Sequence, residues 1–163
     1  MPDNDNRAVR QQYGALPYRL TDTGTVEILL VTSRGTGRWV IPKGWPIKKL
    51  KPSQSAAREA YEEAGVRGKI AGRSIGAFTY EKRLDDDVIP SLCEVKVFPL
   101  LVKRQHKRWP EIDEREQKWF SAAAAAAAVA EQELQALILR FAAKFVLASE
   151  GTEPSPPDTT PGS

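Results

Sequence analysis

The stretch Arg58-Glu59-Ala60-Tyr61-Glu62-Glu63-Ala64-Gly65-Val66 sets three carboxylates and a guanidinium close together in a segment that reads as helix. Residues four apart share a helix face, so Glu59 and Glu63 point together while Arg58 and Glu62 form a second pair beside them. Two aligned carboxylates can hold a hard divalent cation. Mg²⁺ takes one or two carboxylates and fills the rest of its shell with water and substrate phosphates. An Arg/Glu face at this spacing is ordinarily a solvated surface, so the reading turns on what precedes it.

What precedes it is the apolar run Trp39-Val40-Ile41-Pro42-Lys43, closed by Gly44 and followed by a loop. A strand, a glycine loop and an acidic helix in succession let backbone groups approach a phosphate or a metal closely. Gly44, Arg58, Glu59, Glu62, Glu63, Gly65 and Val66 fall on the pattern G-x5-E-x7-R-E-x-x-E-E-x-G-U, where U is aliphatic. The segment therefore resembles the box of the Nudix family. It departs at Leu50, where the family normally has glutamate, and at Gly44-Trp45, where the family opens on two glycines. The Leu50 departure bears on loop geometry more than on catalysis.

The resemblance covers roughly residues 10–147 and implies an α/β fold, a Nudix-type α/β/α sandwich with a mixed sheet between helices. It also implies a metal-dependent hydrolase in which water attacks phosphorus in a phosphoanhydride and metal ions neutralise charge on the bridging oxygens. In this frame Glu59 and Glu63 are the metal ligands for Mg²⁺ or Mn²⁺, and Glu62 accepts a proton from water. Arg58 orients Glu62, and the Gly44 carbonyl joins the metal shell. The base is not always drawn from the box in this family, so Glu62 as a third ligand stays open.

Substrate choice rests on residues outside the box. Arg34 in the run Ser33–Trp39, Arg83 after Gly76-Ala77-Phe78, and Arg115 before Trp119-Phe120 resemble the diphosphoinositol polyphosphate phosphohydrolase branch, where basic residues hold a heavily phosphorylated ligand. Related enzymes cleave dinucleoside polyphosphates. The loop Pro42-Lys43-Gly44-Trp45-Pro46 departs from the branch's glycine run, so specificity does not transfer, and each arginine taken singly is equally a surface residue. Lys43, Lys48, Lys49 and Lys51 flank the loop and would steer phosphates towards it. Lys103, Arg104, Lys107 and Arg108 read as a solvated basic loop. A phosphorylated small molecule is the expected partner, with nucleic acid less favoured. The alternative is a catalytically weak Nudix-fold module that binds a nucleotide or RNA, but a pure binder has no chemical need of the full glutamate set. In the acidic segment before Trp119, Glu114 is the positional choice for a further metal carboxylate. His106, the sole histidine, reads as solvated, and Trp39 and Trp119 read as core.

The chain has 163 residues and a formal net charge of +3, which fits one core and one domain. Its single cysteine, Cys93, excludes an intramolecular disulfide and reads as a buried strand thiol. No apolar run approaches the ~20 residues of a membrane span, and the N-terminus lacks a signal-peptide core. A cytoplasmic setting without membrane contact is the expectation; nothing selects a monomer or a dimer.

The elements that must position these residues follow from periodicity. Residues 1–12 are expected to be flexible, 13–148 to form the Nudix domain and 149–163 to be a disordered Pro-rich tail. Strands are predicted over Tyr13–Leu20, Val26–Ser33, Arg38–Ile41, Ile70–Glu81, Cys93–Lys103 and Lys118–Phe120, with an acidic loop at Asp85-Asp86-Asp87. The box helix is predicted from Ser53 to Gly65. Ser121 caps the alanine run Ala122–Ala128, and Leu134, Ile138, Phe141 and Phe145 mark one apolar face of a last helix that covers the sheet.

Overall fold

The computed structural model describes residues 7–83 and 89–152. The chain runs β1 (Val9–Leu20), β2 (Val26–Thr32), β3 (Trp39–Val40), β4 (Lys43–Gly44), α1 (Pro52–Ala64), β5 (Val66–Ile70), β6 (Gly76–Lys82), β7 (Ser91–Gln105), β8 (Gln117–Ser121), α2 (Ala122–Ala128) and α3 (Gln132–Thr152). All eight strands join one mixed sheet on the path β3-β2-β1-β7-β5, with β4 on β1, β6 on β7 and β8 on β2. β1 and β7 run parallel from Val9↔Leu92 to Tyr18↔Leu101. The other pairings are antiparallel.

The strands are apolar on both faces because both faces are covered. Leu16, Ile28, Leu30, Val95 and Val97 meet Ala125, Leu134, Ile138 and Phe141 of α2 and α3. Their neighbours Ala15, Leu29, Val31, Phe98 and Leu100 point the other way and meet Ala56, Ala60 and Ala64 of α1. The expected α/β/α sandwich is thus present. Trp39 packs against the first core and Trp119 against the second, as expected of them.

α1 opens on Pro52 at a position where the missing N–H costs nothing. Gln54 Oε1 accepts from the Lys51 N–H at 2.9 Å, holding the chain as it enters the helix. Gly65 closes α1 with φ 70°, its N–H returning to the Tyr61 carbonyl. Apart from Glu63, the buried residues on the helix are small, Ala56, Ala60 and Ala64 among them, so its backbone lies close to the sheet. That proximity brings the Glu59 and Glu63 flank over β4.

Several boundaries differ from expectation. β1 starts at Val9, inside the segment expected to be flexible, because β7 offers a parallel partner from Leu92 onward. The single strand expected over Ile70–Glu81 is two, β5 and β6, laid end to end along β7. β5 carries apolar residues only at its ends and pairs on one side alone, so alternation could not reveal it. The strand at Arg38–Ile41 shrinks to β3, and Lys43-Gly44 forms a further strand. α3 continues to Thr152, past the expected domain boundary. The acidic loop Asp85-Asp86-Asp87, residues 1–6 and the tail 153–163 lie outside the described residues. No helix among the described residues is long and apolar enough to cross a membrane.

A Cβ at Gly65 would fall on the indole ring of Trp109, and the backbone there is left-handed. Gly65→Ala is expected to cost about 2–4 kcal/mol, the strain and the overpacking acting together. A urea midpoint unchanged from wild type would show that Trp109 does not anchor its loop on the end of α1.

Candidate active site

β4 consists of Lys43 and Gly44, paired with Gly14 and Tyr13 of β1. A Cβ on Gly44 would fall on the Glu59 carboxylate, so glycine here lets an acid of α1 lie directly against strand backbone. Glu59, Glu63, Lys43 and Gly44 line a cleft of about 390 Å³. Its far wall comes from Arg34 in the β2–β3 loop, Tyr80 and Lys82 of β6, and Glu111 and Arg115 in the β7–β8 loop.

The β7–β8 loop is held by the end of α1. His106 N donates to the Gly65 carbonyl at 2.8 Å and Glu111 N to the Glu62 carbonyl at 3.0 Å. Gln117 Nε2 donates to the Ala64 carbonyl at 2.7 Å. A helix leaves its last carbonyls without internal donors; here the loop and the first residue of β8 supply them, and Glu111 and Arg115 are fixed as a result. Arg115 donates from Nε to Glu111 Oε1 at 2.8 Å and from Nη1 to the Thr32 carbonyl at 3.0 Å. Its Nη2 lies 3.7 Å from Glu63 Oε2, with the Arg115 side chain only 10% exposed. Arg34 pairs with Glu114 at 2.7 Å on the exposed rim.

Burial dominates the electrostatics. Glu63 is buried, and desolvation pushes its pKa up to about 8; Arg115 and Lys43 oppose the rise, while Glu59 and Glu111 add to it. Glu59 is also raised, by desolvation first and then by the charge of Glu62, against a hydrogen bond with Glu63. Lys43 is lowered by desolvation, with Glu63 pulling the other way. Its ammonium sits 4.8 Å from the centre of the Tyr80 ring, and the Tyr80 hydroxyl donates to the buried Gln12 Oε1 at 2.7 Å.

One buried and one half-buried carboxylate, both pushed towards their protonated forms, fit a site that takes a cation in place of protons. Among the described residues no three acidic, histidine or cysteine side chains converge as a metal cage. Glu59 and Glu63 offer two carboxylates beside the Gly44 backbone, which leaves other positions to water and phosphates, a composition that suits Mg²⁺.

The NUDIX domain family model matches residues 11–141, spanning the sheet, α1 and the loop that carries Arg115. The chain belongs to the Nudix family. Nudix hydrolases generally use divalent metal ions. Nudix hydrolase 21, chloroplastic, of Arabidopsis thaliana is 35% identical over 116 residues, covering 69% of this chain and 56% of that protein. The chain therefore spans little more than half the length of that relative. Diphosphoinositol polyphosphate phosphohydrolase 2 of Rattus norvegicus is 47% identical over 58 residues, covering 35% of this chain and 32% of that protein. In fold, the chain resembles the C. elegans Ap4A hydrolase with a TM-score of 0.60 at 22% identity, covering 84% of this chain and 98% of that one.

The Nudix box proves to have two sides. Arg34, Lys43, Gly44, Glu59, Glu63 and Arg115 are brought together in the cleft. Arg83 lies in an adjoining cleft of about 290 Å³ that shares Arg34, Lys43 and Lys82 with it. Arg58 is elsewhere: it is exposed and lines a separate groove with Leu50 and Arg67. Among the described residues no ion pair joins Arg58 to Glu62. Glu62 is half-buried and does not line the cleft. The further carboxylate of the cleft is Glu111, whereas Glu114 turns to Arg34. The spacing of Glu111 and Arg115, four apart, was the available signal. Gln12, Tyr80 and Lys82 also line the cleft, and only the fold could assemble them. His106 packs edge-on against Tyr61 with ring centroids 5.4 Å apart, so it is not simply solvated.

A carboxyl raised on folding supports the fold fully below its unfolded value and loses that support as pH climbs through its folded value. For Glu63 the window runs from about 4.5 to about 8. Metal-free protein is expected to lose stability across it, on the order of a few kcal/mol. Glu63→Gln should flatten the profile and melt higher than wild type at the alkaline end, in chelator. Parallel melting curves for the two proteins would refute the buried acid as the source.

Proposed function

We propose that the chain is a metal-dependent hydrolase that cleaves a phosphoanhydride, a diphosphate linked to a second group, by attack of water on phosphorus. Mg²⁺ is the cation proposed, with Mn²⁺ as a substitute, and a diphosphoinositol polyphosphate or a dinucleoside polyphosphate is the substrate class. The observation that carries this reading is the convergence of Glu59 and Glu63 with Arg34, Lys43 and Arg115 on one cleft. Acids that can hold a cation stand beside cations that can hold phosphates.

When bound, a divalent ion supplies charge neutralisation at the phosphoryl oxygens. Glu59 and Glu63 would hold it, with the Gly44 carbonyl alongside. Lys43, Lys82 and Arg115 bind and orient the anionic oxygens. Glu62 stands outside the cleft, so the proton of the attacking water is assigned to a carboxylate that lines it. Glu111 is our choice, because it is the lining carboxylate not assigned to the cation and Arg115 Nε holds it in place at 2.8 Å. The adjoining cleft adds Arg38 and Arg83 next to Phe78, which supports a substrate larger than a bare diphosphate. The likeness to the rat diphosphoinositol polyphosphate phosphohydrolase supports the inositol member of the class.

The test is phosphate release with Mg²⁺ from diphosphoinositol phosphates, dinucleoside polyphosphates and nucleoside diphosphate sugars. Glu63→Gln and Glu59→Gln are each expected to lower kcat/KM by about a hundredfold or more without loss of the circular-dichroism melt, and Glu62→Gln by less than about tenfold. Binding of these ligands without release, whatever metal is added, would replace the hydrolase by the binding-module reading.

A further inference from the structure

The flank of α1 turned away from the cleft borders a groove of about 280 Å³, walled by Arg58 of the helix and Arg67 of β5. Its floor is apolar, built from Leu50, Ala57, Ile70 and Leu100, and no acid lines it. Both arginines are exposed, and neither forms an ion pair among the described residues. The acids nearest in the chain do not answer them: Glu59 faces the cleft, and Glu62 pairs with neither. The Arg67 guanidinium lies 4.0 Å from the centre of the Tyr61 ring. It stands directly opposite Arg104 of β7 in the sheet, a like-charge pairing that costs stability. Exposed arginines are ordinarily just solvated, but Leu50 sets these apart, since it occupies the position at which the Nudix box normally has glutamate. A carboxylate there would stand in the same groove as both arginines. Leucine instead leaves two guanidiniums over an apolar floor.

We infer that this groove is a second ligand site, for a nucleoside monophosphate, with the phosphate on Arg58 and Arg67 and the base on the apolar floor. The site shares no residue with the cleft, so it does not depend on the hydrolase reading. Its volume lies at the small end of the range for small-molecule sites, which suits one nucleotide and not a chain of them. Guanidinium forks match phosphate oxygens bidentately. A phosphate monoester carries close to two negative charges near neutral pH, which answers two arginines. Inorganic phosphate would satisfy the cations but leave Leu50, Ala57, Ile70 and Leu100 in water. A base covers them, and its ring gives a guanidinium a face to stack on. Gln54 also lines the groove, with its Oε1 taken by the Lys51 N–H. Its amide N–H groups are left to donate to the edge of a base.

The experiment uses the full chain free of metal and AMP as the probe, with binding followed by calorimetry and by nuclear magnetic resonance of the His106 imidazole. His106 is the only histidine in the chain and touches Tyr61 edge-on, on whose face Arg67 lies, so it reports on the groove. Saturable AMP binding that shifts the His106 resonances is expected, with inorganic phosphate and adenosine each at least about tenfold weaker. Leu50→Glu, which restores a carboxylate to the groove, and Arg67→Gln should each weaken AMP by about tenfold or more while keeping the circular-dichroism melt. Arg58→Gln serves if Arg67→Gln does not fold. Arg115→Gln, which removes a phosphate-binding cation from the cleft, should bind AMP as wild type does. Loss of binding in Arg115→Gln would put AMP in the cleft and overturn the inference, and so would undiminished binding in Leu50→Glu. Inorganic phosphate bound as tightly as AMP would reduce the groove to a charge site and overturn the nucleotide assignment. A glutamate-rich peptide that binds more tightly than AMP, and fails to bind Leu50→Glu, would give the groove to an acidic protein segment instead. No saturable AMP binding would also sink the inference, while leaving the hydrolase reading intact.

Discussion

A carboxylate cannot leave water without a positive group or a proton to answer it, and the placement of Glu63 on the inward flank of α1 imposes that demand on everything nearby. The demand is met from two directions. Lys43 arrives on β4, a strand of two residues zipped onto β1, and Arg115 arrives on a loop pinned to the last carbonyls of α1. Neither answer is complete, since burial still pushes Glu63 up to about 8. That shortfall in neutralisation is the electrostatic ground for proposing a divalent cation here.

The rest of the fold serves the closeness that creates the demand. Ala56, Ala60 and Ala64 let α1 settle on the sheet without large side chains in between, and Gly44 removes the last obstacle between the strand and Glu59. Under α1, the parallel register of β1 with β7 fixes where β4 and β6 hang. Lys43 from one and Tyr80 from the other then meet at 4.8 Å. On the opposite face α2 and α3 close the second core. A change of volume among the alanines would therefore reach the chemistry through a shift of α1 relative to β4, not through any contact with substrate.

The layering was legible through the resemblance that the box carries, while the helical spacing of Leu134, Ile138 and Phe141 marked a helix that covers the sheet. The helix stop at Gly65 was legible too, since only a left-handed residue ends α1 there. β5 was not legible, because an edge strand with a bulge between Arg67 and Gly68 carries no alternation. In the site, Glu59 and Glu63 followed from helical spacing. Glu111 over Glu114, Gln12, and the turning away of Arg58 did not, because they depend on how a loop docks and on which flank of a helix meets the sheet. These are tertiary facts that local spacing does not encode.

The box is best understood through the period of its helix. Positions 59 and 63 fall on the flank that meets β4 and are drawn into the cleft, while Arg58 falls on the flank shared with Leu50 and Arg67. A leucine at position 50 lies in that second groove and does not touch the cleft. Its departure from the family pattern leaves the acids, Lys43 and Arg115 untouched. The loop between β7 and β8 has the opposite character, because the same hydrogen bonds that finish α1 also aim Arg115 at Glu63. Helix end and charge balance are one structural unit, so a loss at Gly65 or Gln117 would be felt at the carboxylates even though neither residue lines the cleft.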